Sequence, residues 1–218
     1  MLSFAEENYL KAIYHLSTSG KKSVSTNSLS EEMNTKPASV SDMIKKLADK
    51  GVISYQKYQG VNISKNGKVE ALKVIRKHRL WEVFLVDKLK FNWDEVHEIA
   101  EQLEHIDSPT LTNKLDEFLG YPRIDPHGDP IPDEQGNFSN APKYPLSEVA
   151  LQKQVIIVGV ENSDSEFLKH LDKLNISLGS KVLVSDKNEF DGLMKVEISG
   201  SGEVHLSSKV TDNLLVTE

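Results

Sequence analysis

Cysteine is absent from the 218 residues, which excludes a disulfide framework, a thiolate metal site and a thiol nucleophile. Any bound metal would meet no thiolate donor. Long apolar runs are missing too. No stretch approaches the roughly 18 residues of a membrane-spanning helix, so no membrane segment is expected. The opening MLSFAEENYL is acidic and amphipathic, unlike the basic-then-apolar pattern of a secretion signal. A cytoplasmic location fits these absences. Catalytic signatures are equally scarce. HEIAE at 97–101 lacks the second histidine of the H-E-x-x-H zinc helix, and neither a Ser-His-Asp set nor a phosphate-cradling glycine loop is evident. The chain is not expected to be an enzyme, a metallohydrolase included.

The balance that remains, 38% hydrophobic and 27% charged, suits a soluble globular protein, and the length suits one large domain or two to three small ones. The net charge of −7 is unevenly spread. Residues 1–80 carry a net +7, residues 81–144 a net −9 and residues 145–218 a net −5. A basic first third beside two acidic ones reads as an anion-binding module joined to something else.

That first third has a recognisable rhythm. FAEENYLKAIYHLST reads as a helix with Tyr9, Leu10, Ile13, Tyr14 and Leu16 on its apolar side. STNSLSEEM supplies hydroxyl caps and a short helix around Leu29 and Met33. TKPASVSDMIKKLADKG follows, with Thr35 as the expected cap, Pro37 in the first turn and Val40, Ile44 and Leu47 facing inward. VISYQKYQGVNIS alternates around Gln59-Gly60 as a small hairpin. Helix, turn, helix and hairpin make a winged helix-turn-helix, whose second helix enters the major groove of double-stranded DNA. Its exposed face offers Lys36, Ala38, Ser39, Asp42, Lys45 and Lys46, and the wing adds Lys57. The lysines suit phosphates, and Ser39 and Asp42 suit base edges.

SKNGKVEALKVIRKHRLWEVFLVDKL (64–89) reads as a long amphipathic helix on which His78 and Glu82 are one turn apart. In VHEIAEQLEHI (96–106), Val96, Ile99, Ala100, Leu103 and Ile106 form an inward stripe, while His97, Glu101, Glu104 and His105 gather opposite. Imidazole and carboxylate one turn apart can converge on one ion; a solvated acidic face is the plainer reading of that stretch alone. Residues 121–145 hold six of the eight prolines and read as a linker or an ordered loop. QVIIVGV, KVLVSD, LMKVEISG, GEVHLS and NLLVTE are short β-branched strands, with SEFLKHLDKL a helix among them. The expected architecture is α+β and multidomain: a winged helix-turn-helix (1–73), a helical metal-binding and dimerisation domain (74–140) and a small SH3-like, FeoA-type β-barrel (146–218).

With ENYLKAIYHL, KPASVSDMIKKLADKGVISYQKYQGVNIS, VHEIAEQLEH, DPHGDPIP and FLKHLDKLNISLGSKVLV in view, the chain resembles the diphtheria toxin repressor family of metal-dependent transcriptional regulators over nearly its whole length. The resemblance implies a homodimeric repressor of metal-homeostasis genes that binds an operator when metal is bound. It implies one metal site at Asn8, Glu101, Glu104 and His105, and a second at His78, Glu82 and His97. Glu166 is the implied ligand from the barrel, with Ser163 departing from the family pattern and Asp164 available to substitute. Asn8 is a neutral ligand where the manganese branch has a carboxylate and the iron branch a methionine. Lys11 stands where many manganese sensors carry a second carboxylate. Oxygen-rich, sulfur-free donors favour Mn²⁺, with Fe²⁺ as the alternative. A constitutive regulator, with Asn8 and Lys11 as its trace, is the other reading. His15, His127, His170 and His205 are read as histidines with other uses.

Overall fold

The computed structural model describes residues 2–56, 59–138 and 142–218. Lys57, expected in the wing, lies outside the described residues. The chain forms two compact units, one of residues 1–78, 101–113 and 132–138, the other of residues 79–100, 114–131 and 139–218.

In the first unit, α1 (Phe4–Leu16) begins with a reciprocal cap: Ser3 accepts from the Glu6 amide, and Glu6 accepts from the Ser3 amide, satisfying two of the first turn's orphan donors. α2 (Thr26–Glu32) and α3 (Pro37–Asp49) follow as the helix-turn-helix pair. The expected Thr35 cap is not made; Lys36 is the N-cap residue, with no side-chain cap bond, and Pro37 opens α3. Proline fits there because its missing N–H costs a first turn nothing. Val40, Ile44 and Leu47 are buried as their spacing requires, joining Leu10, Ile13 and Leu29 in one core. β1 (Ile53–Gln56) and β2 (Gly60–Ile63) pair antiparallel from Ile53–Ile63 to Gln56–Gly60. Val24 adds a bridge to Val61. Gly60 lies at φ +84°, and a Cβ there would meet the Val24 carbonyl oxygen at 2.6 Å, so the wing needs glycine at this point.

α4 (Lys65–Asp87) is the long helix, and α5 (His97–Leu103) and α6 (Pro109–Phe118) follow. α5 is shorter than the apolar stripe suggests: Val96 and Ala100 are buried, but Ile106 lies beyond the helix and is exposed.

In the second unit, β3 (Tyr144–Pro145), β4 (Gln154–Val160), β5 (Lys181–Lys187), β6 (Met194–Ile198), β7 (Gly202–Leu206) and β8 (Leu214–Thr217) form one antiparallel sheet in the order β3-β8-β4-β5-β6-β7. Register shifts in β4 and β5 bend it. Val155, Ile157, Val182, Val184, Met194, Val196 and Val216 line its core with Leu168 and Leu171 of α7 (Ser165–Lys173), and α8 (Ser208–Thr211) precedes β8. A smaller cluster, Leu80, Val83, Leu115 and Ile131, holds the helical part of this unit.

Candidate metal centres

Two groups of acid and imidazole side chains stand out, one in each unit. In the first, α1 presents Phe4, Glu7, Asn8 and Lys11 at helical spacing. The Lys11 ammonium lies 2.7 Å from Glu101 Oε1, 2.7 Å from Glu104 Oε1 and 2.9 Å from Glu104 Oε2. Glu104 is fully buried, and its Oε2 is also 2.6 Å from His78 Nδ1. His105 turns elsewhere: its Nδ1 meets Glu7 at 2.7 Å, its Nε2 is 3.8 Å from Glu104, and its ring stacks on Phe4. The Asn8 side-chain oxygen is buried and finds no hydrogen-bond partner among the described residues.

Of the four expected ligands, then, Glu101 and Glu104 converge, with His78 joining them, while His105 is held by Glu7. The oxygens of this group suit a hard ion, but an ammonium already occupies the space between the two carboxylates. With Lys11 in place the residues do not fit a divalent ion.

In the second unit Glu82 is bracketed by two imidazoles. Its Oε1 lies 3.5 Å from His97 Nδ1, its Oε2 3.6 Å from His127 Nδ1. Glu82, Asp125 and His127 are all buried and bring ligand atoms within 4.8 Å of one another. His127, read from the sequence as a histidine with other uses, is brought to Glu82 and Asp125 by the fold. Helical periodicity picks out groups on helices, and this one comes from a loop. The available signal was DPHGDP itself, an imidazole between aspartates in a proline-ruled turn.

That loop is firmly built. Asp125 Oδ1 accepts from the amides of His127 and Asp129 at 2.8 and 2.9 Å, the usual local bonding of an aspartate in a turn. Gly128 lies at φ +87°, and a Cβ there would come within 2.0 Å of the Val158 carbonyl oxygen. Val160 donates back to the His127 carbonyl at 3.0 Å. The His127 Nε2 sits 2.8 Å from the Trp93 carbonyl. Because that oxygen only accepts, Nε2 carries the proton and Nδ1 faces Glu82.

Electrostatics sharpen the picture. Burial pushes the Asp125 carboxyl up, helped by Glu82 and Asp129 and opposed by Arg79, whose Nε lies 3.4 Å away. Burial pulls His127 down, but its close pairing with Glu82 and the Asp125 charge outweigh it and raise the imidazole to about 9. The two carboxylates thus hold a proton on this imidazole at neutral pH. Two oxygen donors, one imidazole and no sulfur fit a hard divalent ion. Glu166 and Asp164 are exposed at the start of α7, and α7 is tied to the same unit by Ser165–Asp94 and Lys169–Asp94 contacts.

On α3, Lys36, Ala38, Ser39, Asp42 and Lys45 are all exposed, and Lys45 pairs with Asp42 at 3.3 Å.

Comparison with known proteins adds to this geometry. Residues 1–61 match the model described as iron dependent repressor, N-terminal DNA binding domain. Residues 64–133 match iron dependent repressor, metal binding and dimerisation domain, and residues 144–218 match the FeoA domain. An uncharacterized HTH-type transcriptional regulator of Methanocaldococcus jannaschii is 32% identical over 118 residues, which are 54% of this chain and 94% of that protein. The chain belongs to the iron-dependent, or diphtheria toxin, repressor family.

Within that family, a manganese-dependent transcriptional repressor solved with manganese shares 33% identity, with a TM-score of 0.87 over 98% of this chain and 99% of that one. The iron-dependent repressor IdeR of Mycobacterium bovis is 31% identical over 126 residues, 58% of this chain and 54% of that protein. The chain spans about half the length of IdeR and of the diphtheria toxin repressor of Corynebacterium jeikeium. The family boundary between residues 61 and 64 falls where β2 gives way to α4, and the loop bearing Asp125 and His127 lies inside the metal-binding match.

Proposed function

We propose that the chain is a metal-responsive transcriptional repressor that binds double-stranded DNA as a homodimer and controls metal-homeostasis genes. One observation carries the reading: a winged helix with an exposed, lysine-bearing α3 shares its chain with a buried, sulfur-free Glu82–Asp125–His127 group. Glu82, Asp125 and His127 would hold the ion, with His97 the remaining imidazole beside Glu82. Mn²⁺ is the preferred ion and Fe²⁺ the alternative, because the donors are hard and the ligand set separates these two neighbours only weakly. The manganese-dependent and iron-dependent relatives support both ions.

Lys36 and Lys45 would contact phosphates and Ser39 a base edge, with Lys57 of the wing on the backbone. Two copies would set their α3 helices about one DNA turn, ~34 Å, apart on a palindromic operator. Exposed Phe118, Tyr121 and Leu89 of the second unit supply apolar surface for pairing. No helix among the described residues is long and apolar enough to cross a membrane, and a regulator of this kind would act in the cytoplasm.

The test is selection of duplexes from a random library in Mn²⁺, followed by affinity measurement with Mn²⁺, anaerobic Fe²⁺ or chelator. Tight binding confined to metal supports the reading. Equal affinity in all three conditions overturns the metal dependence and leaves the constitutive regulator.

A further inference from the structure

We propose that the Lys11 ammonium is a built-in cation in the position of a divalent ion, joining α1 to the Glu101–His105 segment so that this closure of the first unit needs no metal. The inference rests on the proposed function only in assigning the metal response to the other group, Glu82, Asp125 and His127.

An ammonium has three donors and no acceptor, and Lys11 places its nitrogen 2.7, 2.7 and 2.9 Å from three carboxylate oxygens. Both oxygens of Glu104 are engaged, Oε2 by His78 as well. An entering ion would therefore find no free Glu104 oxygen. Beside them the Asn8 amide oxygen is buried without a hydrogen-bond partner among the described residues, a neutral donor and so a weak one for a divalent ion.

Lys11 is tethered through α1, so its effective concentration at the carboxylates greatly exceeds that of a free ion. Its side chain is 14% exposed and Glu104 is not exposed at all. Displacement would strand one charge or drive the other out of a packed interior.

Phe4, Glu7 and Lys11 lie on one face of α1, and all three grip the same segment: Phe4 stacks on His105, Glu7 pairs with it, and Lys11 takes Glu101 and Glu104. Apart from the unpartnered Asn8 oxygen, protein groups make this closure.

The experiment uses the full chain and manganese ion alone, counting bound Mn²⁺ by electron paramagnetic resonance and following α1 by amide hydrogen exchange. The wild type is expected to bind one tight Mn²⁺ per chain, lost in Asp125→Asn and His127→Ala but retained in Glu101→Gln. Lys11→Glu is expected to gain one further Mn²⁺. Exchange within residues 4–16 of the wild type is expected to agree within about twofold in Mn²⁺ and in chelator. The proposal is overturned if Glu101→Gln removes an ion from the wild-type count, or if Mn²⁺ slows wild-type α1 exchange tenfold or more. Should Lys11→Glu fail to fold, the Glu101→Gln count and the wild-type exchange still decide. A protein whose Mn²⁺ count ignores Glu101→Gln but whose DNA affinity ignores metal would refute the repressor reading and leave the Lys11 assignment standing.

Discussion

The Lys11 ammonium lies 2.7 Å from a Glu104 carboxylate that has no exposure to solvent. Removing one member of such a pair leaves an uncompensated buried charge, which is worth more than the pair's own net contribution. Lys11→Met is therefore expected to destabilise the protein by about 3 kcal/mol, the lower end for buried pairs because the lysine keeps some solvent. Lys11→Met with Glu104→Gln should recover much of that loss. Urea unfolding of the single and double variants measures the coupling; a cost below about 1 kcal/mol for Lys11→Met would reduce the pair to a surface contact.

Gly128 makes a sharper test of the loop that carries Asp125 and His127. Alanine there must accept a left-handed backbone and also a Cβ 2.0 Å from the Val158 carbonyl oxygen. Gly120 has the same backbone sign, φ +79°, but open space around it. Gly120→Ala should cost about 1 kcal/mol and Gly128→Ala about 3 kcal/mol or more. Only Gly128→Ala should also weaken Mn²⁺ binding. Thermal unfolding and a metal titration of both variants check this, and equal behaviour would detach the loop from the site.

How much of this was legible in the sequence follows from which residues carry a period. Val40, Ile44 and Leu47 announced the buried side of α3, and Glu101 and Glu104 announced a shared target, because helices repeat. The occupant of that target did not follow. Lys11 was visible as an obstacle to a second ion, but only the packing of α1 puts its nitrogen between the two carboxylates. His127 was invisible to periodicity because a loop has none. It reaches Glu82 through a turn set by Asp125 and Gly128, and that approach depends on tertiary structure. The missing Thr35 cap is a smaller case: Lys36 takes the N-cap position because Pro37 begins the helix.

The metal-free protein should lose stability as pH rises. His127 is raised from 6.5 to about 9 in the fold, so the folded state binds more protons than the unfolded chain between those values. A raised histidine stabilises fully below its unfolded pKa and ceases to do so as pH climbs through the folded one. The pushed-up Asp125 acts with the same sign at lower pH. In excess chelator, the stability attributable to His127 should fall by on the order of 3 kcal/mol between pH 6.5 and 9. His127→Gln should flatten that slope, and a wild-type curve already flat over this range would contradict the buried charge arrangement.

On α3, the exposed residues divide by what each can contact. Lys36→Ala and Lys45→Ala should each weaken binding to all duplexes alike and lower the salt slope by about one, as loss of a phosphate contact does. Lys45 gives up its 3.3 Å contact with Asp42 when it turns to a phosphate, a small cost for a pair so exposed. Ser39→Ala should leave the salt slope unchanged and alter which sequences are enriched, by about 1–3 kcal/mol at one base position. The pattern is read from anisotropy at several salt concentrations together with a repeat of the library selection. A salt slope that Lys36→Ala and Lys45→Ala both leave untouched would move the DNA contact away from α3.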